Sequence, residues 1–310
     1  MAKHVAWEGV FPAVTTQFRS DFSIDYDATA KVIDALIRDG VSGLILCGTV
    51  GENNSLSRDE KIKMMEMAKS AAKGRVPVVV GVAEYTTELA SGIAREVARV
   101  GLDGLMLLPA MVYSAKPRET LAHFRGVAKT TELPIMLYNN PPIYRTDVTP
   151  EMLASLADVD TIVCFKESSG DTRRFIDLKA ITGDRFIPFC GLDDVVVESV
   201  VMGAVGWVSG LSNAFPIEGE TLFRLARQGR LAEAMPIYEW FMPLLHLDAR
   251  SDLVQCIKLC EHIVGRGTHV TRPPRLALEG AEKAEVEAIM KKALATRPKL
   301  PDVGLKRAAA

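Results

Sequence analysis

Short apolar runs alternate along this chain with longer stretches in which apolar residues return every three or four positions. The runs are residues 10–14, 43–47, 76–81, 104–108, 135–138, 162–166, 186–190 and 206–208. Each is nearly continuous in hydrophobicity, as parallel strands covered on both faces are. Eight of them with helical stretches between predict an α/β fold, a closed (β/α)8 TIM barrel rather than an open sheet. The helices carry their own signals. Val32, Ile33, Leu36 and Ile37 form one apolar stripe, Ser57 and Glu60 form a capping box, and Thr149-Pro150 reads as an N-cap followed by proline at the first helical position.

A turn recurs where helices hand over to strands. Gly40-Val41-Ser42-Gly43, Gly101-Leu102-Asp103-Gly104 and Gly203-Ala204-Val205-Gly206 each lead into an apolar run. The first glycine can end a helix in a left-handed cap and the second can open the strand. After Pro216 strand signals stop, and residues 222–228, 231–245, 253–264 and 281–295 read as helices. The expected division is therefore a barrel over residues 1–215 and a helical extension over 216–310, packed on the barrel or on a neighbouring subunit. Residues 297–310, rich in Lys, Pro and Ala, are expected to form a mobile tail.

Composition narrows the function classes. The 310 residues suit one barrel with an appendage, and the formal net charge of -2 argues against a nucleic-acid partner or an anionic membrane surface. Residues 1–9 hold no apolar signal segment and no stretch is apolar enough to span a bilayer, so the expectation is a soluble cytoplasmic protein. Of the five cysteines, three lie in strand runs and read as small buried hydrophobes. Cys256 and Cys260 fall near His246, His262 and His269, but no spacing matches a zinc pattern, so no metal is expected.

In such a barrel chemistry gathers at the C-terminal ends of the strands. The sixth run ends in Lys166. Apolar walls there would favour the neutral amine, the nucleophile that forms a Schiff base with a carbonyl. The plain structural alternative is a lysine that reaches solvent or pairs with Glu167. The fifth run ends in Tyr138, a phenol able to move protons at the reacting carbon, or simply a packing tyrosine. The second ends in Gly48-Thr49-Val50-Gly51-Glu52, a turn that can present backbone N–H groups to a carboxylate. Dinucleotide and P-loop glycine patterns are missing, which argues against a nucleotide.

Taken together, Gly48-Thr49-Val50-Gly51-Glu52, Tyr138-Asn139-Asn140-Pro141 and Lys166-Glu167-Ser168-Ser169-Gly170-Asp171 resemble, in order and spacing, the dihydrodipicolinate synthase / N-acetylneuraminate lyase superfamily. The resemblance implies that Lys166 is the Schiff-base lysine and Tyr138 the general acid/base. It implies that Thr49 supports Tyr138 by a hydrogen bond and, with Gly48, Gly51 and the N–H of Val50, forms the carboxylate loop. Gly191, Asp193, Asp194 and Ser209 match positions lining the substrate cavity in the lyase branch, and Ser168 a hydroxyl position just after the lysine. No metal or organic cofactor is implied, and a homo-oligomer, tetramer or dimer, is.

Three departures count against dihydrodipicolinate synthesis itself. Val50 stands where the family loop often has a second hydroxyl. Arg145 is displaced by about two residues from the arginine that helps hold a second carboxylate. Ser114, with Tyr113 one place earlier, stands where the synthase lends a tyrosine from the loop after the fourth strand. The opening Trp7-Glu8-Gly9-Val10-Phe11-Pro12, the segment 138–146 and Leu245-His246-Leu247-Asp248-Ala249-Arg250 resemble a narrower branch, 1-pyrroline-4-hydroxy-2-carboxylate deaminase of hydroxyproline breakdown. The partner so implied is a small 2-oxo or cyclic-imine carboxylate. Rival readings are a 2-keto-3-deoxy sugar-acid dehydratase, a pyruvate aldolase, a 2-oxo-acid sensor without turnover, and a sugar-phosphate barrel. The acidic Gly191-Leu192-Asp193-Asp194 turn disfavours the last.

Overall fold

A computed structural model of the protein describes residues 5–110 and 113–306. All eight apolar runs are strands: β1 (Gly9–Pro12), β2 (Leu44–Leu46), β3 (Val78–Val82), β4 (Gly104–Leu107), β5 (Ile135–Asn139), β6 (Ile162–Glu167), β7 (Ile187–Cys190) and β8 (Gly206–Ser209). Each pairs in parallel with its neighbour, and β8 pairs with β1. β1 and β2 meet at a bridge between Ala13 and Ile45, where the Val14 N–H donates to the Ile45 carbonyl over 2.9 Å. The ring of strands thus closes.

Strand side chains alternate between two layers. Phe11, Ile45, Val79, Met106, Met136, Cys164 and Phe189 belong to one buried cluster, and the Phe11 and Phe189 rings meet edge-on with centroids 5.3 Å apart. Their neighbours Leu44, Leu46, Val78, Val80, Leu105, Ile135, Leu137 and Phe165 pack instead with the helix stripes, including Val32, Ile33, Leu36 and Ile37. Two steps along a strand keep the side, so Tyr138 follows Met136 inward and Lys166 follows Cys164.

The local signals hold. Ser57 and Glu60 form the capping box and Thr149 caps its short helix. Gly40, Gly101 and Gly203 all take positive φ. The second glycine of each turn has a steric role that periodicity does not reveal. A β-carbon at Gly43, Gly104 or Gly206 would stand 2.4 Å from Phe11, 2.6 Å from Trp7 or 2.2 Å from Phe189. The five cysteines are free and buried. Among the described residues no helix is long and apolar enough to cross a membrane, and no cluster of three or more side chains could hold a metal ion.

Two expectations concern the C-terminal part. The helix Pro216–Arg227 packs against β1 and against the helix Val196–Val201. We propose that it is the eighth helix of the barrel ring and that the extension begins at Leu231, in place of Pro216. The described part of the tail is not loose. Val303 is buried, Leu305 lies over Gly40, and Arg230 and Arg224 donate to the carbonyls of Asp302 and Gly304 over 3.1 and 3.3 Å. Residues 1–4, 111, 112 and 307–310 lie outside the described residues.

Candidate active site

Register brings the two principal residues together. Tyr138 on β5 pairs with Lys166 on β6, and Lys166 with Phe189 on β7. Lys166 is 5% exposed, and its Nζ sits 3.5 Å from the centroid of the Tyr138 ring. A positive charge at this nitrogen, such as an iminium, faces the electron-rich side of the ring, which attracts it. Glu167 is not its partner. Its side chain points the opposite way, where Asn139 Nδ2 donates to it over 3.2 Å, with the Ser169 N–H and Arg174 nearby. Burial nevertheless pushes the Glu167 carboxyl up.

The lysine occupies space that glycine leaves open. A β-carbon at Gly191 would stand 2.8 Å from Cγ and Cε of Lys166 and 2.1 Å from Ser168 Oγ. The cavity above, about 140 Å³, is lined by Gly48, Thr49, Val50, Tyr138, Tyr144, Lys166, Gly191 and Asp248 together with apolar side chains. Lys166 and Asp248 are the charged members among the described lining residues. The carboxylate loop faces this space. Glu52 N–H bonds back to Thr49 O over 3.0 Å and Asn53 N–H to Gly48 O over 3.2 Å, and among the described residues no backbone carbonyl takes up the Val50 N–H. A carboxylate there meets a free donor and the Thr49 hydroxyl. Gly51 supports the turn from beneath, since a β-carbon would stand 2.9 Å from the Val14 carbonyl.

Thr49 supports a different phenol from the one expected. Its hydroxyl shares a 2.5 Å hydrogen bond with Tyr144, not with Tyr138. The Tyr144 ring meets the Tyr138 ring edge-on at 5.4 Å, and the Tyr138 hydroxyl accepts from Asn140 Nδ2 over 3.0 Å. Burial, and next the neighbouring Tyr138, push the Tyr144 phenol well above its ordinary value, against the lowering bond with Thr49. Tyr144 therefore stands between the carboxylate loop and Tyr138. Its place is set locally: Asn140 caps a single helical turn, accepting from the Ile143 N–H over 3.2 Å, and Pro141 and Pro142 fill the first two positions. Tyr144→Phe is expected to lower kcat about 10–100-fold with an unchanged melting temperature. A kcat within twofold of the parent would reduce Tyr144 to packing.

The remaining expected residues divide. Asp193 does not line the cavity but is fully buried beneath it, accepting from Trp207 Nε1 (2.9 Å), Ser209 Oγ (3.3 Å) and the N–H groups of Gly210 (3.2 Å) and Leu211 (2.8 Å). Burial and the neighbouring Asp248 push it up, against the lowering bonds from Leu211, Gly210 and Trp207. Its work is to fix the end of β8. Ser209 shares in this and accepts from the Ser212 N–H over 3.0 Å. Asp194 turns outward to the exposed His246, 2.9 Å away. Ser168 lies behind Gly191, its Oγ buried with no hydrogen-bond partner among the described residues. Arg145 is exposed at a left-handed φ of 58°, while Ile143 and Tyr144 take the wall of the cavity. Tyr113 is exposed, as is Ser114, and neither reaches the cavity. Met111 and Val112 lie outside the described residues.

A sequence profile of the dihydrodipicolinate synthetase family matches residues 6–293. The chain belongs to the dihydrodipicolinate synthetase family. The 4-hydroxy-tetrahydrodipicolinate synthase of Salinibacter ruber is 37% identical over 219 residues, 70% of this chain and 72% of that protein. That of Oceanobacillus iheyensis is 32% identical over 237 residues, 76% and 80% of the two. Two crystal structures superpose on the fold. One is a dihydrodipicolinate synthetase, described as putative, from Pseudomonas aeruginosa (TM-score 0.88, 27% identity, 93% of this chain and 100% of that one). The other is YagE, a prophage protein of the dihydrodipicolinic acid synthase family from E. coli K12, in complex with pyruvate (TM-score 0.88, 25% identity, 94% and 99%). The protein is thus a member of a lyase family that acts on small molecules.

Proposed function

We propose that the protein is a lysine Schiff-base deaminase that converts 1-pyrroline-4-hydroxy-2-carboxylate to 2-oxoglutarate semialdehyde and ammonia. The observation that carries this reading is the composition of the cavity. One amine lies on its floor, one carboxylate loop faces it, and no arginine stands among its described lining residues. A substrate with a single carboxylate fits that set, whereas a second carboxylate finds no guanidinium partner.

In this reading the substrate carboxylate sits on the Val50 N–H and Thr49, and Lys166 attacks C2 of the cyclic imine. The C2–ring nitrogen bond breaks, the C5 amine is freed, and the lysine iminium remains. It acts as an electron sink, so Tyr138 can take a proton from C3 to give an enamine. The enamine expels the C4 hydroxyl as water. Migration of the double bond turns the C5 amine into an imine. One water then releases ammonia from C5 and another frees the lysine, so one water leaves and two enter. The Tyr138 ring under Nζ stabilises each cationic stage. A homo-oligomer in the cytoplasm belongs to the same reading.

The test is a coupled ammonia assay on the cyclic imine with purified protein. Ammonia released in step with the semialdehyde is the expected result. No ammonia at saturating substrate sinks the deaminase reading. Water loss from a 2-keto-3-deoxy acid, or pyruvate formation, would then identify the sugar-acid dehydratase or the aldolase in its place.

A further inference from the structure

The resemblance assigned no task to Asp248, yet this residue of the helical extension is the one carboxylate among the described lining residues of the cavity. It reaches in from the short turn His246–Ala249. The fold makes room for it: a β-carbon at Gly210, just past β8, would stand 2.4 Å from Asp248 Oδ1. It is also held from below. It lies next to Asp193, whose N–H favours the charged carboxylate, and Asp193 is itself anchored by four donors at the end of β8. The Asp248 side chain is half-buried, with one side open to the cavity.

Its position relative to Lys166 gives it a task. The carboxylate loop follows β2, and Lys166 ends β6 on the far side of the ring. Next round the ring from Lys166 stand β7 and β8, and Asp248 lies over their ends. A substrate with C1 at the loop and C2 on Lys166 can extend its remaining carbons along the wall toward Asp248, which lines the same cavity. We propose that Asp248 is the acid that protonates the C4 oxygen of the lysine-bound substrate as it leaves. The enamine pair forms the C3–C4 double bond, the C4–O bond breaks, and the Asp248 proton departs with the oxygen as water. The carboxylate then takes a proton from C5 as the double bond migrates, which restores the acid.

The surroundings favour a carboxyl that keeps its proton. Burial raises Asp248 to about 6; the charge on Lys166 opposes this, as does the Asp193 N–H, and Asp194 reinforces it. The other titratable groups facing it are Asp193 and, from the turn after β5, Tyr144. An acid must be protonated to act, so kcat is expected to fall as pH rises through its titration.

This proposal rests on the Schiff-base reading and on loss of the C4 oxygen, which the deaminase and the sugar-acid dehydratase share; an aldolase keeps that oxygen, so aldol cleavage as the parent's sole reaction overturns the proposal. The test compares the parent enzyme with Asp248→Asn in two measurements: turnover of the cyclic imine, or of a 2-keto-3-deoxy sugar acid if the parent dehydrates that instead, and borohydride trapping of pyruvate on Lys166. Asp248→Asn is expected to trap normally, which also reports that it folds, while turnover falls 10²–10⁴-fold and the alkaline fall in kcat disappears. Turnover within tenfold of the parent, with the same pH profile, overturns the proposal. Should the variant fail to trap, the parent's own profile decides: a kcat flat from about pH 5 to pH 8 overturns it. Absence of trapping in the parent with both pyruvate and the cyclic imine is a separate failure, refuting the Schiff-base reading and this proposal with it.

Discussion

Lys166→Ala is expected to lower turnover by at least ~10⁴-fold while leaving the fold intact. The size of the effect follows from what the amine does. Without it no iminium forms at C2, nothing accepts the electron pair left at C3, and the loop and phenols can only hold the substrate. Stability should change little, because the side chain borders an existing cavity and its truncation only enlarges that space. Lys166→Arg should be equally inactive, since a guanidinium forms no imine with a ketone. The check is steady-state turnover beside a melting curve. Residual activity within 100-fold of the parent would remove Lys166 from the chemistry.

Lys258→Met is expected to cost about 3–5 kcal/mol of stability. Lys258 projects from the helix Leu253–Ile263 and is completely buried, as is its partner Glu52, 3.0 Å away. It also donates to the Thr16 carbonyl over 2.8 Å and to the Val270 carbonyl. Burial lowers its own pKa, and Glu52 is the first influence that raises it again. Glu52 holds a left-handed φ of 56° at the end of the carboxylate loop, and its other oxygen accepts the Arg272 N–H over 2.9 Å. A methionine of similar length leaves Glu52 without its cation. It also removes the positive charge that offsets burial at Glu261, whose carboxyl burial already raises to about 7.

The pH dependence of that loss has a defined sign. A carboxyl whose folded pKa is raised is stabilising below its unfolded value, and that contribution is lost as pH rises through the folded pKa. The deficit of Lys258→Met should therefore grow between about pH 5 and pH 8. Because Glu52 closes the Thr49–Val50 turn, KM should rise as well. Denaturant unfolding at several pH values checks the first expectation; a deficit under ~1 kcal/mol would show that the pair does not hold the loop.

The strands were legible because their apolar runs are nearly unbroken, and the inward parity of Tyr138 and Lys166 follows once β5 and β6 are placed. The loop Gly48–Glu52 was legible from its glycines. What escaped were residues whose role depends on distant closure. Tyr144 takes the hydrogen bond expected for Tyr138 because a capped single turn after β5 swings it over Thr49. Asn140 followed by two prolines was the available signal for that turn. Asp248 lies in the segment 245–250 that resembles the deaminase, but its neighbours Leu247 and Ala249 show no catalytic pattern, and only the packing of the extension over Gly210 brings it to the cavity. Asp193 and Ser209 were expected in the lining, but four donors draw the aspartate below it. The place in the barrel ring that we propose for the helix Pro216–Arg227 was not legible, because helical periodicity alone does not say which sheet a helix covers.

The most direct measurement is borohydride reduction of the purified protein with pyruvate or the cyclic imine, followed by mass mapping of the labelled peptide. A single adduct on Lys166, carrying the mass of the reduced substrate skeleton, is the predicted result. An adduct on another lysine, or continued turnover with no adduct at all, would contradict the account.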